Sequence, residues 1–419
     1  MAGVLLRVGG GFVACLEPQV KPARRVLDGA AAAALEGIRE RYLALLGRDG
    51  AQAQLLALGR ELAVWLDGPE RWLGALRQVR PLVLELRGPA EPGEAEWAVL
   101  QAPWELIADE DGFFAADGQL TFSPIRRLGE PQNAPALSDH RLGLTFMAGA
   151  PRGEVELAYE AEESAILGAA GTLGLDLVVE ESGNPELLAQ RLGRLADMPV
   201  LHLSCHGHNA WRPPDQPGAH PRPVLFLEDD EGNALPTDTT ALVEALGVHT
   251  PRLLALSACL TAAAAPDDPA TGKVADSLAT ALVGAGVPAV LGWEGSIYDH
   301  EATAFAHELY EQLANGQPLE RAASVARRTV LTDPKRPARH WHLARLWFGP
   351  QGGGKLIQGG GGVERFAVQT GYSEFLDAKG QRSPVAGRDA FIGRRREMQA
   401  GLRSLRGTQH AGLLGSVPN

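Results

Sequence analysis

Cysteine is scarce in this chain: only Cys15, Cys205 and Cys259 occur among 419 residues. Three thiols so far apart exclude a disulfide framework, and no spacing matches a structural zinc site. No run of 18 apolar residues exists, so no segment reads as crossing a membrane. Met1 to Glu17 lacks a basic start and is broken by Arg7 and a glycine triplet, which excludes a signal peptide. Positive charge is also in deficit, with 39 Lys and Arg against 51 Asp and Glu and a formal charge of −12. That balance argues against a nucleic-acid-binding surface, and a carboxylate surplus of this size serves solubility. These absences point to a cytoplasmic protein, in a compartment where a free thiolate survives.

The content that is present describes a soluble globular chain, 45% hydrophobic and 21% charged. Its length predicts two or more domains. Residues 1–98 read as an α+β leader. A hairpin turns at Gly9-Gly10-Gly11, helical spacing covers Arg24 to Leu46 and Ala51 to Leu66, and Leu82 to Leu86 is a strand ended by Gly88-Pro89. Pro103-Trp104-Glu105-Leu106 starts a short helix with proline in its first turn, with Trp104 as a core anchor. Phe113-Phe114 and Leu120-Thr121-Phe122 read as short strands before Arg126-Arg127.

From Leu142 the pattern repeats strand, helix, strand. Strands are predicted at 142–148, 174–180, 199–205, 223–228, 252–258 and 287–292. Helices are predicted at 155–171, 184–196, 237–247, 274–285, 299–315 and 318–331. Strands alternating with helices of this length predict an α/β fold, a mostly parallel sheet with helices on both faces. Gly207 to Arg222, with four prolines, reads as a long loop.

Two of these strands end on reactive side chains. Pro199-Val-Leu-His-Leu-Ser-Cys-His-Gly207 stops on a His-Gly step, and Arg252-Leu-Leu-Ala-Leu-Ser-Ala-Cys259 stops on a thiol. Open α/β sheets place their sites just outside the carboxyl ends of the strands. His206 and Cys259 are 53 positions apart, close to the caspase interval of about 50, although the pentapeptide here is Ser-Ala-Cys-Leu-Thr. A lone cysteine is usually a small buried hydrophobe. A His-Gly step at a matched strand end points instead to a thiolate nucleophile with an imidazole partner. Strand alternation puts Cys205 on the opposite side from His206 and into the core. His202 and Ser204 share the parity of His206, with a hydrogen-bonded core role for His202.

These strand ends, with Leu-Ser-Ala-Cys-Leu-Thr-Ala and the later Ala-Leu-Val-Gly-Ala-Gly-Val-Pro-Ala-Val, resemble the CHAT domain family of caspase-like cysteine peptidases related to separase. The resemblance covers roughly residues 100 to 350, set at 99–350 as a domain, and includes Pro103 to Leu106, Trp293 and Asp299. It implies a cysteine endopeptidase that cleaves protein substrates without a cofactor or metal. Cys259 attacks the carbonyl, His206 protonates the leaving amine, and the backbone N–H groups of Gly207 and Cys259 hold the oxyanion. In related caspase-like families the residue two before the cysteine helps form the pocket for the side chain preceding the cut. That position is Ser257 here, which removes the simplest support for a basic preference. Asp299, Glu294, Asp229 and Asp230 remain as candidate pocket carboxylates, each also readable as a solvated charge or a helix cap. The alternative function is a catalytically silent caspase-like scaffold that binds partners.

Gly349 to Lys355 fits the first seven positions of a P-loop, but Leu356 stands where the magnesium-binding hydroxyl belongs and a glycine run follows. Residues 351–390 therefore read as a glycine-rich linker. The tail, Phe391-Ile-Gly-Arg-Arg-Arg-Glu-Met398 and Ala411-Gly-Leu-Leu-Gly415, resembles the opening of a STAND or AAA-type NTPase module at 391–419. The resemblance implies that the chain is the N-terminal part of a longer protein and that it does not itself bind nucleotide. It further implies regulation or self-association through that module, in a setting of bacterial defence signalling.

Overall fold

A computed structural model describes residues 4–16, 23–264, 277–334 and 340–358, apart from positions 49, 135, 138, 139, 156, 173, 196, 197 and 217, and adds 374–376, 382–384, 401 and 404. The NTPase-like tail at 391–419 and most of the predicted linker lie outside the described residues.

The chain opens with strands β1 (Val4–Gly9), β2 (Phe12–Leu16) and β3 (Ala23–Val26), followed by helices α1 (Gly29–Leu43), α2 (Gln52–Asp67) and α3 (Trp72–Leu76). Next come β4 (Val83–Gly88), α4 (Glu94–Gln101), a 3-10 turn at Trp104–Leu106, the two-residue strands β5 (Ala108–Asp109) and β6 (Gly112–Phe113), and β7 (Ser123–Leu128). The alternating part runs β8 (Leu142–Ala148), α5 (Tyr159–Thr172), β9 (Leu175–Glu180), α6 (Pro185–Leu192) and β10 (Val200–Ser204). Strands β11 (His206–Trp211), β12 (Arg222–Glu228) and β13 (Ala234–Thr237) then form a separate antiparallel sheet. After it come α7 (Thr239–Leu246), β14 (Leu253–Ser257), α8 (Leu278–Gly284), β15 (Ala289–Trp293), α9 (Asp299–Ala314), α10 (Leu319–Leu331) and β16 (Ala344–Phe348).

Eleven strands form one sheet in the order β3-β2-β1-β4-β7-β16-β15-β14-β10-β8-β9. Only the pairs β1–β2, β2–β3 and β15–β16 are antiparallel, so the predicted mostly parallel α/β sheet flanked by helices is what forms. Every residue of β8 and β10 is buried, as covering on both faces requires. Helix starts follow the capping residues. Asn184 accepts from the amides of Glu186 and Leu187 at 2.8 and 3.2 Å with Pro185 behind it, and Asp238 and Ser277 cap α7 and α8. No described helix is long and apolar enough to cross a membrane.

Several local expectations change. Residues 24–26, read as the start of a helix, belong instead to β3, which pairs with β2 as an edge strand. Residues 120–122 are not a strand; the strand is β7, whose Arg126 and Arg127 are buried. The 207–222 loop shrinks to 212–221 because its first residues are β11, paired with β12. The 223–228 strand exists, but in the small sheet. The start of the glycine-rich run is packed, not free. Arg127 donates to the carbonyls of Gly349 and Gly352 at 2.7 and 3.1 Å, and the Gly354 amide donates to Glu320 at 2.9 Å. A Cβ on Gly352 would lie 1.9 Å from the Pro288 carbonyl oxygen, and Ile357 is fully buried. Backbone held this way offers no cradle for a phosphate.

Candidate active site

The parallel pairing of β10 with β14 runs from Val200↔Leu253 to Ser204↔Ser257. His206 and Cys259 each follow that last pair by two residues, so they leave the sheet at the same level on adjacent strands. One further ladder bond, from the Cys205 amide to the Ser257 carbonyl at 3.2 Å, closes the pairing. Beyond it the chains part: His206 enters the small sheet, and Cys259 enters a turn. Both residues are half-buried.

Gly207 sets how near the two strand ends come. A Cβ built on it would lie 2.3 Å from the Cys259 carbonyl oxygen and 3.3 Å from the side chains of Ala258 and Thr261. Only glycine permits that backbone contact. Gly207→Ala is expected to destabilise the chain by about 1–3 kcal/mol and to cut cleavage about 100-fold by pushing the imidazole away from the thiol. Urea unfolding and peptide turnover on the same preparation check it; an active, stable alanine variant would show that the two strand ends separate at no cost.

The turn after the thiol is fixed by Thr261. Its hydroxyl donates to the Ala258 carbonyl and accepts from the Trp293 amide, each at 3.0 Å. The Ala262 amide donates to Trp293 at 2.9 Å, and the Leu260 amide to Gly295 at 3.3 Å. Leu260 itself is left-handed at φ +61, an uncommon state for a branched residue and one that clusters at functional sites. Its strain is sustained by the Thr261 clamp on one side and β15 on the other.

His206 has a partner that the sequence did not reveal. Its Nε2 lies 2.6 Å from the Val155 carbonyl oxygen, in the segment between β8 and α5. A carbonyl only accepts, so Nε2 carries the proton of this hydrogen bond and Nδ1 is the ring nitrogen it leaves unused. Nothing in the side chain of Val155 signals this, because the contact is backbone.

The other predicted residues divide. Cys205 is buried, and burial together with the Glu162 charge pushes its thiol far above the ordinary range, so it stays protonated in the core. Trp104 is fully buried and donates to the Val99 carbonyl at 2.7 Å; Trp293 is buried edge-on against Phe305. Glu294 is not a pocket carboxylate: it is buried 3.2 Å from Arg345. Asp229 closes the β12–β13 turn by accepting from the Glu231 and Asn233 amides at 3.0 and 2.7 Å. Asp230 accepts from Asn184 at 3.3 Å. Asp299 opens α9, is exposed, and accepts from the Ala158 amide at 2.9 Å. It lines a cleft of about 760 Å³ between the starts of α5 and α9, with Ala158, Ile297 and Tyr298. Ala158 lies three residues from Val155, whose carbonyl holds His206, but neither His206 nor Cys259 lines this cleft. A cleft of about 200 Å³ beside Pro199 and Arg252 lies at the other end of β10 and β14.

Ser257 is half-buried, and its hydroxyl donates to the buried Glu162 carboxylate at 2.7 Å. The serine named as a pocket residue is thus backed by an acid from α5. Among the described residues no cluster of His, Cys, Asp and Glu has a metal-holding arrangement.

The fold is a mostly parallel α/β sheet, and His206 and Cys259 leave its carboxyl edge on adjacent strands. The chain belongs to the CHAT domain family, which matches residues 56–352. No curated protein matches the sequence. Solved structures similar to it include the separase–securin complex of Saccharomyces cerevisiae, at 14% identity, TM-score 0.34, and coverage of 69% of this chain and 17% of that one. The Arg-specific cysteine proteinase gingipain R is similar at 11% identity, TM-score 0.38, and coverage of 78% and 69%. The complex of Porphyromonas gingivalis RgpB pro- and mature domains is similar at 11% identity, TM-score 0.39, and coverage of 76% and 69%. This chain therefore spans less than a fifth of the separase chain.

Proposed function

We propose that the chain is a cysteine endopeptidase acting on protein substrates, with Cys259 as nucleophile and His206 as general acid and base. The observation that carries this reading is the register of β10 and β14, which brings both residues out two positions past Ser204↔Ser257, with Gly207 against the Cys259 backbone. Membership of the CHAT family supports the same assignment. In the reaction the Cys259 sulfur bonds to the scissile carbonyl carbon, and its proton passes to His206 Nδ1. The backbone N–H groups of Gly207 and Cys259 receive the oxyanion. The imidazolium then protonates the leaving amine as the C–N bond breaks, and water attacks the thioester with His206 as base. Specificity falls to Ser257 and to the cleft with Asp299. Restraint by an NTPase module, whose opening residues 391–419 resemble in sequence, completes the proposal and fits a role in bacterial defence signalling.

The test is to incubate the chain with a protein mixture and map new N-termini by mass spectrometry, before and after alkylating its thiols. New termini that vanish on alkylation are expected. Their absence, or their persistence in the alkylated sample, would favour a partner-binding scaffold.

A further inference from the structure

Glu162 sits in the first turn of α5, buried to 4% exposure, where a carboxylate also suits the helix dipole. Its two oxygens reach both strands of the candidate site. Oε2 accepts from Ser204 Oγ at 2.8 Å, and Oε1 accepts from Ser257 Oγ at 2.7 Å. Those serines are the last paired residues of β10 and β14, each two positions before His206 and Cys259. His202 Nε2 lies 3.3 Å from Oε1, near enough for an ion pair but poorly aligned for a hydrogen bond. On the other side of the ring, Nδ1 and the Tyr310 hydroxyl share a hydrogen bond at 2.7 Å, and the ring stacks on Phe146 with centroids 5.2 Å apart. Burial alone would raise the Glu162 carboxyl; His202 and the two hydroxyls outweigh it and hold the group ionised.

From this arrangement we infer that Glu162 is a positioning residue: its carboxylate ties the ends of β10 and β14 together through Ser204 and Ser257 and so fixes the placing of His206 relative to Cys259. The inference rests on the peptidase reading above and adds a residue that neither the family resemblance nor the strand-end pattern points to. The need for a tie follows from the topology. Past Ser204 and Ser257 one backbone ladder bond remains, and then His206 turns into the small sheet while Cys259 enters a left-handed turn. A misplacement of about 1 Å at reacting groups costs on the order of 100-fold in rate. A carboxylate has acceptor sites for both hydroxyls at once, which a neutral aliphatic side chain lacks.

The experiment measures peptide turnover and the alkylation rate of Cys259, read on its own tryptic peptide, in wild type, His206→Ala, Glu162→Ala, Glu162→Gln and Ser204→Ala. Glu162→Ala is expected to lower kcat about 100-fold with KM changed by less than about twofold. It is also expected to remove the His206-dependent part of Cys259 alkylation. Glu162→Gln, which keeps one acceptor, is expected to recover kcat to within about tenfold of wild type. A purely structural carboxylate would change the folded fraction and leave kcat per folded molecule alone. Folded Glu162→Ala with kcat within about threefold of wild type, or with a change confined to KM, overturns the inference. Should Glu162→Ala fail to fold, Ser204→Ala decides: about a tenfold loss of kcat supports the tie, and an unchanged kcat sinks it. If wild-type Cys259 shows no dependence on His206, the peptidase reading itself fails and takes this inference with it. A His206-dependent wild type with an indifferent Glu162→Ala sinks the inference alone.

Discussion

Cys259→Ala and His206→Ala will each abolish peptide cleavage while leaving the unfolding midpoint nearly unchanged. Both side chains are half-buried and lie past the last ladder pair Ser204↔Ser257, so truncating either opens no core cavity; a change within about 0.5 kcal/mol is expected. The loss in kcat is expected to be on the order of 10⁴ or more. The double variant should be no worse than either single one, because a nucleophile and its base act as a unit. Cys205→Ala is the control for a thiol next door. It is expected to keep turnover yet lose about 1–3 kcal/mol, because Cys205 is 2% exposed and packed. Burial keeps the Cys205 thiol protonated, so it offers no ready substitute nucleophile. Turnover measured with a fluorogenic peptide pool, alongside urea unfolding, separates these outcomes. Residual turnover in purified Cys259→Ala would move the nucleophile elsewhere.

The strand ends were legible because apolar runs bounded by a reactive residue follow from burial on both faces, and β8, β9, β10, β14 and β15 fall within about two residues of their predicted spans. What escaped reading was set by partners distant in the sequence. β7 and β16 carry Arg126, Arg127 and Arg345 in their interiors, and charge in a short segment reads as surface until its counter-ion is known. β11 was hidden because His206-Gly-His-Asn-Ala-Trp211 has no alternation and leads into prolines; it pairs only because β12 returns beside it. In the candidate site, the residue types at 206 and 259 showed themselves, whereas Val155 acts through its backbone and Glu162 lies in a stretch that reads only as helix. Glu294, kept as a candidate pocket carboxylate, was misplaced for the same reason as the strands: its buried partner Arg345 comes from β16.

The largest stability effect is expected from Glu105, in the Pro103-Trp104-Glu105-Leu106 stretch. Its carboxylate is fully buried and takes a two-pronged contact from Arg126, at 2.6 and 2.8 Å, while Arg126 also donates to the carbonyls of Leu100 and Ala102. Arg327 lies 3.8 Å away and is held by the Ala344 carbonyl; Arg345 donates to the Gln101 carbonyl at 2.8 Å. The fork thus joins the turn at 104–106, β7, α10 and β16 in the middle of the sheet. Removing one partner of a buried pair leaves the other charge uncompensated, so Glu105→Ala is expected to cost about 3–5 kcal/mol. Burial opposes the charge on Glu105, but Arg126 and the other two arginines outweigh it and hold the carboxyl at about 2. In the unfolded chain the same group titrates near about 4.3. Its stabilisation is therefore complete above about pH 4.5 and is lost as pH falls from there toward 2. Urea unfolding of wild type and Glu105→Ala across that range checks both halves of the expectation. The gap between the two chains should narrow as acid is added, and a gap constant with pH would mean that the substitution acts by its cavity and not by its charge.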